Sequence, residues 1–210
     1  KTIQIEDWNE QYHSKHGAVN EANHVFIKHG LLHFFNKQNL QKISILEIGF
    51  GTGLNAFLTA IQAEALNLNV NYVGVEAYPV ATEEINQLNY VQEINPDKQK
   101  LFAKIHEANW EQSVKISSDF SLTKRQQFFQ DIEDVDAFDI IYFDAFGSRV
   151  QPELWSKAIF QKMYNALKIK GVLTTYAAIG QVKRDMQDLG FEVERLQGPP
   201  GKRHMLRASK

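Results

Sequence analysis

Ile45-Leu-Glu-Ile-Gly-Phe-Gly-Thr-Gly53 joins an apolar run to three alternate glycines and opens directly onto a helical pattern. The residues from Ile43 to Ile48 have strand character, and Leu54, Phe57, Leu58, Ile61, Ala65 and Leu66 recur on one helical face. Gly49, Gly51 and Gly53 therefore occupy a strand-to-helix turn, where the missing Cβ lets a ligand lie against the main chain. Their spacing is G-x-G-x-G. A dinucleotide fingerprint needs its third glycine where Leu54 stands, and a P-loop needs a Gly-Lys-Ser/Thr ending that is absent. The turn thus suits an adenosyl ligand without a pyrophosphate, of which S-adenosyl-L-methionine is the common one. Glu47, just before the turn, suits the ammonium and sulfonium charges of that cofactor.

A second strand from Asn71 to Val75 ends at Glu76, which stands 23 positions after Gly53, near the roughly 20 expected for a carboxylate that accepts ribose hydroxyls. Tyr78-Pro79 then reads as a helix start. Further strand-like runs at 43–48, 101–106, 138–143, 171–177, 191–196 and 203–208 alternate with helical stretches, which is the α/β pattern. Pro152 marks one helix start, Gly171 is read as terminating that helix, and Gly190 closes another from Gln181 to Leu189. The charged stretch between Asn95 and Asp136 reads as a loop-helix insertion on the sheet. The expected organisation is one domain over 1–210, with a helical extension at 1–42 that can cover the cofactor and a core at 43–210.

Composition narrows the chemistry. The 210 residues contain no cysteine, which removes disulfides, thiolate metal sites and thiol nucleophiles. No window approaches a membrane span and the first residues are not signal-like, so a cytoplasmic protein is expected. The formal charge is -2, yet Arg195 to Lys210 carries five Lys/Arg and no acid, a tail fit to face phosphates or simply a solvated strand. Five of seven histidines (His13, His16, His24, His29 and His33) fall near the beginning of the chain without a metal-binding motif, so no metal is expected.

Phe138-Asp-Ile-Ile-Tyr-Phe-Asp144 reads as a strand buried on both faces. Its terminal Asp144 emerges where open α/β sheets bind ligands. A carboxylate there can orient an amine toward a donor methyl and take its proton. Beyond it, Phe146 and Trp155 can stack on a base or pack in the core.

These residues resemble a known family, the methyltransferase half of the tRNA 5-methylaminomethyl-2-thiouridine biosynthesis (MnmC-like) proteins. The likeness spans nearly the whole chain. It is carried by the segment from Tyr12 to Phe26, by Glu47-Ile-Gly-Phe-Gly-Thr-Gly-Leu-Asn55, by Glu76-Ala-Tyr-Pro79, by Phe143-Asp-Ala-Phe146 with Gln151 to Trp155, and by Gly198 to Arg207. It implies a class I Rossmann-like methyltransferase fold: a doubly wound, mostly parallel sheet with an antiparallel last strand. It also implies methylation of the aminomethyl group on the wobble uridine of certain tRNAs, reached in the anticodon region. Carried over by position, Glu47, Gly49, Phe50, Gly51, Gly53, Asn55, Glu76 and Ala77 hold the cofactor, with Asp144 at the transfer centre. His13, His16, Glu21, Phe146, Arg149, Trp155, Lys202 and Arg203 fall on the substrate side, and Arg207 joins the phosphate-facing tail.

There are departures from the family pattern. The Gly-Asp that the family places near the adenine is replaced by residues Lys124 to Gln127, and Phe146-Gly-Ser-Arg149 stands where Phe-Ala-Pro is common. The flavin-dependent oxidoreductase module of the bifunctional members has no counterpart in these residues, so a separate oxidoreductase is a candidate partner. Methylation of a small molecule or protein amine, aminopropyl transfer, and a non-catalytic cofactor-binding role are the competing readings.

Overall fold

The computed structural model describes residues 17–38 and 40–210, together with the backbone of two short antiparallel strands, β1 (Gln4–Ile5) and β2 (Glu10–Gln11). His13 and His16 lie outside the described residues. The main sheet is assembled from β3 (Lys42–Ile48), β4 (Asn69–Glu76), β5 (Ser113–Lys115), β6 (Phe120–Gln126), β7 (Phe138–Phe143), β8 (Leu167–Thr175), β9 (Glu192–Gln197) and β10 (His204–Ser209). Their order across the sheet is β5-β6-β4-β3-β7-β8-β10-β9. The five strands from β6 to β8 run parallel, whereas β5, and β10 against both β8 and β9, pair antiparallel.

The central strands form because their sequences are apolar on both faces. All six residues of β7 are buried, as are Leu46 and Ile48 on β3 and Val73 and Val75 on β4. One face is covered by α3 (Leu54–Leu66) and α6 (Gln99–Glu107), the other by α7 (Lys157–Ala166) and α8 (Gly180–Asp188). The amino-terminal helix joins the first face. It runs as α1 (Ala18–Ala22), a π-helical stretch over Asn23–Leu32, and α2 (His33–Gln38), with Val25, Phe26 and Leu31 buried. Chain direction reverses outward from β3, toward β4 on one side and β7 on the other, so the crevice beyond their carboxyl ends is the switch point where such sheets take ligands.

Four local expectations are corrected. Residues 101–106 belong to helix α6, because Phe102 and Ile105 fall on one buried face with Lys100, Lys104 and Glu107 around it. The stretch 95–136 is not an insertion, since β6 within it pairs with β4 from Val70 to Glu76 as part of the central sheet. The helix expected at Tyr78-Pro79 begins only at Thr82, as α4 (Thr82–Ile85). Gly171 lies within β8 rather than ending α7, which passes directly into that strand after Ala166.

Gly74 shows how tightly the turn is fitted. The Phe50 side chain lies on this glycine, and a Cβ there would come 2.3 Å from Phe50 Cδ2. Gly74→Ala is therefore expected to destabilise by about 1–3 kcal/mol through overpacking, visible as a lower melting temperature in thermal denaturation. An unchanged melting temperature would mean that Phe50 moves aside freely.

Candidate active site

The glycine turn is held from below by β4. Gly49 and Phe50 both donate their backbone N–H to Val75 O at 3.0 Å, and Gly53 N–H closes back on Phe50 O at 2.9 Å. Gly49 has φ 86°, and a Cβ at this position would lie 2.6 Å from Asp144 O. Only glycine lets the turn and the end of β7 approach this closely. Asp144 is fixed in turn by its N–H to Ile48 O at 2.9 Å.

Asn55, on the first turn of α3, ties two acidic side chains together. Its amide nitrogen donates to Glu47 Oε1 at 2.8 Å and to Asp144 Oδ2 at 2.9 Å. Glu47 receives a second hydrogen bond from the Tyr72 hydroxyl at 2.8 Å and is fully buried, and burial holds its carboxyl well above the usual carboxylate range. Glu47, expected against the cofactor, is thus enclosed beneath Asn55 and orients it. The Phe50 ring is likewise buried, lying over Gly74, which leaves its main chain on the turn.

Glu76 ends β4 with both oxygens engaged by backbone donors: Oε2 accepts from Gly51 N–H at 3.0 Å and Oε1 from Tyr78 N–H at 3.1 Å. Burial pushes its carboxyl upward, opposed by the Tyr78, Gly51 and Ala77 amides. Each oxygen still has acceptor capacity for a hydroxyl.

Asp144 is half-buried. Burial and then the neighbouring Glu21 carboxylate push it up to about 7, against the Asn55 hydrogen bond and the charge of Lys202. Glu21 comes from α1 and is buried; Oε1 accepts from Lys202 Nζ at 3.0 Å, while Oε2 has no hydrogen-bond partner among the described residues. Lys202 Nζ also lies 3.8 Å from the centre of the Tyr176 ring, and the Tyr176 hydroxyl donates to Ala145 O at 2.8 Å. Helix α1, the end of β8 and the β9–β10 connection thereby meet beside Asp144.

The substrate-side expectations divide. Glu21 and Lys202 are brought to Asp144, but Lys202 is occupied by an ion pair rather than presented as a free phosphate contact. Phe146 is half-buried near the same edge. Trp155 is buried, donates its indole N–H to Phe146 O at 2.7 Å, and packs on Phe143, so it is a core residue and not a stacking platform. Arg207 is buried on β10 and paired with Glu194 at 2.9 Å, which removes it from the phosphate-facing tail. Arg149 and Arg203 are exposed.

Neither Tyr78 nor Phe128 is given a site role by the sequence. They are 62% and 49% exposed, at the carboxyl ends of β4 and β6, with ring centroids 6.0 Å apart beside Glu76. The only available signal was an aromatic just beyond each of two strands. Among the described residues, no group of three or more His, Cys, Asp or Glu is placed to hold a metal, and no helix is long and apolar enough to cross a membrane.

The residues fit S-adenosyl-L-methionine. The Gly49 turn provides the close backbone approach, Glu76 has acceptors for ribose hydroxyls, and the buried Oδ1 of Asn55 has no partner among the described residues. A family model described as S-adenosyl-L-methionine-dependent methyltransferase matches residues 85–210. The tRNA 5-methylaminomethyl-2-thiouridine biosynthesis bifunctional protein MnmC of Methylobacillus flagellatus is 28% identical over 211 residues, covering 93% of this chain and 32% of that protein. The chain thus spans about a third of the length of such relatives. Among solved structures, MNMC2 from Aquifex aeolicus aligns over 99% of this chain and 66% of its own, with TM-score 0.74 and 21% identity. Spermidine synthase from Thermotoga maritima aligns over 100% of this chain and 71% of its own, with TM-score 0.57 and 14% identity, a likeness of fold alone. The chain belongs to the S-adenosyl-L-methionine-dependent methyltransferases, as an MnmC-like methyltransferase domain.

Proposed function

We propose that this domain methylates the primary amine of an aminomethyl group on the wobble uridine of tRNA, giving the methylaminomethyl product. The observation that carries the reading is the pair of acids at the transfer edge: Asp144, and Glu21 with one buried oxygen lacking a partner among the described residues. Two carboxylates beside one lysine suit a nucleophile that arrives as an ammonium ion. The bound cofactor supplies an electrophilic methyl group. Asp144, with a carboxyl that ionises at about 7, accepts the ammonium proton and aims the freed lone pair. Glu76 holds the ribose hydroxyls, Tyr78 and Phe128 wall the adenine, and Asn55 keeps Asp144 aligned with the turn. The tRNA assignment draws on the name of the relatives. That name also calls them bifunctional, which is consistent with a separate oxidoreductase as partner.

The test is incubation of the chain with S-adenosylmethionine and tRNA bearing 5-aminomethyl-2-thiouridine, followed by nucleoside mass spectrometry. Gain of one methyl on that nucleoside is expected. An aminopropyl gain, or methylation only of free amines, would replace the reading. Arg149 and Arg203, the exposed cations near the site, are proposed to meet phosphate. Arg149→Gln with Arg203→Gln should flatten the slope of log affinity against log salt by up to ~0.7–0.9 per contact, with S-adenosylhomocysteine binding unchanged. An unaltered slope would move the tRNA surface elsewhere.

A further inference from the structure

A cavity of about 470 Å³ lies on the α6 side of the sheet, behind the glycine turn, and none of Glu76, Asn55 and Asp144 is among its walls. Its volume is in the range of small-molecule sites, roughly 300–1,000 Å³. Lys124 lines it from β6, opposite Gly74 in the sheet register and 3% exposed. No acid pairs with this ammonium among the described residues. One of its protons goes to His106 O at 2.9 Å, and the nitrogen lies 5.1 Å from the centre of the Trp110 ring. A buried cation without a counter-ion is costly, and burial lowers the Lys124 ammonium to about 8.

His106 lines the same cavity, and its Nε2 is buried without a hydrogen-bond partner among the described residues. Burial, then the charge of Lys124, pushes this imidazole down to about 4, so it is neutral at pH 7 and contributes no charge. The fixed charge at Lys124 is one positive unit, and Glu107, also in the lining, opposes a dianion. Phe50 and Trp110 supply the apolar part: their rings stand at 80° with centroids 6.2 Å apart, making a corner for a flat group.

We propose that this cavity binds a small aromatic monocarboxylate, its carboxylate on Lys124 and its ring in the corner between Phe50 and Trp110. The ligand supplies the counter-ion that the described residues do not. It is a site apart from methyl transfer, joined to it only through the shared Phe50-Gly51 wall.

Benzoate is the probe, titrated into the full chain by calorimetry and by tryptophan fluorescence, with benzamide as its uncharged counterpart. Saturable binding of benzoate is expected, with benzamide weaker by ~10-fold or more, the value of a hydrogen bond to a charged group. Lys124→Met should weaken benzoate by at least the same factor while melting no lower than the parent, since it removes an unpaired buried charge. Saturating S-adenosylhomocysteine should leave benzoate binding in place. The proposal is overturned if millimolar benzoate shows no saturable binding, if benzamide or Lys124→Met matches the parent combination, if inorganic phosphate displaces benzoate, or if S-adenosylhomocysteine abolishes its binding.

Discussion

Asp144→Asn is expected to slow single-turnover methyl transfer by ~10²-fold or more while S-adenosylhomocysteine affinity, read by calorimetry, changes only a few-fold. The side chain keeps its shape and its place beside Asn55, but it can no longer take a proton. In the parent, the rate should rise with pH through about 7, following ionisation of Asp144. That inflection should vanish in the variant. Folding gives an independent readout with the opposite sense. The folded-state value of Asp144 lies above the ordinary carboxyl value of 3.8, so its ionised form costs stability. That cost is absent below about pH 4, grows as pH rises toward 7, and is complete above it. Asp144→Asn should therefore raise the melting temperature at pH 8 and leave it nearly unchanged near pH 4. A normal rate with a normal pH profile would assign Asp144 to structure alone.

Gly51→Val should abolish measurable binding of S-adenosylhomocysteine. Gly51 has φ 47° and gives its N–H to Glu76 Oε2. A β-branched residue there carries about 1–3 kcal/mol of backbone strain, equivalent to roughly 5- to 150-fold in affinity, and its side chain then enters the ligand space as well. The parent chain should bind S-adenosylmethionine and S-adenosylhomocysteine but not NAD, because the third glycine of a pyrophosphate cradle is Leu54. Tight NAD binding by calorimetry would contradict the assignment of the turn. Retained binding by the variant would show that the loop is free to re-form with a different backbone.

The parts of this architecture visible in the sequence share one physical property. β3, β4 and β7 are buried on both faces, so they read as nearly continuous apolar runs, and each ends at a residue that matters: the glycine turn, Glu76 and Asp144. β6 has no such signature. Only Phe120 and Leu122 are apolar along it, and the interior position after them is Lys124, so the charged pair Lys124-Arg125 interrupts the apolar pattern. Helix α6 was concealed for a related reason, since only Phe102 and Ile105 along it are buried. Within the site, Asp144 was legible from its place at a strand end. The enclosure of Glu47, the occupation of Lys202 and the withdrawal of Arg207 and Trp155 were not, because each depends on a partner supplied by a distant part of the chain.

The position of β10 has a bearing on synthesis and refolding. This strand follows β9 in the chain but lies between β9 and β8, and the Lys202–Glu21 ion pair that precedes it spans 181 positions. Before β10 arrives, β8 presents an unpaired, largely apolar edge open to a strand from another molecule. The acidic pocket beside Asp144 cannot close in that interval either, since Lys202 enters with the same hairpin. Such long-range pairing is slow to form. The nascent protein thus acquires its most aggregation-prone surface shortly before its catalytic competence, and a single docking event removes the first and completes the second.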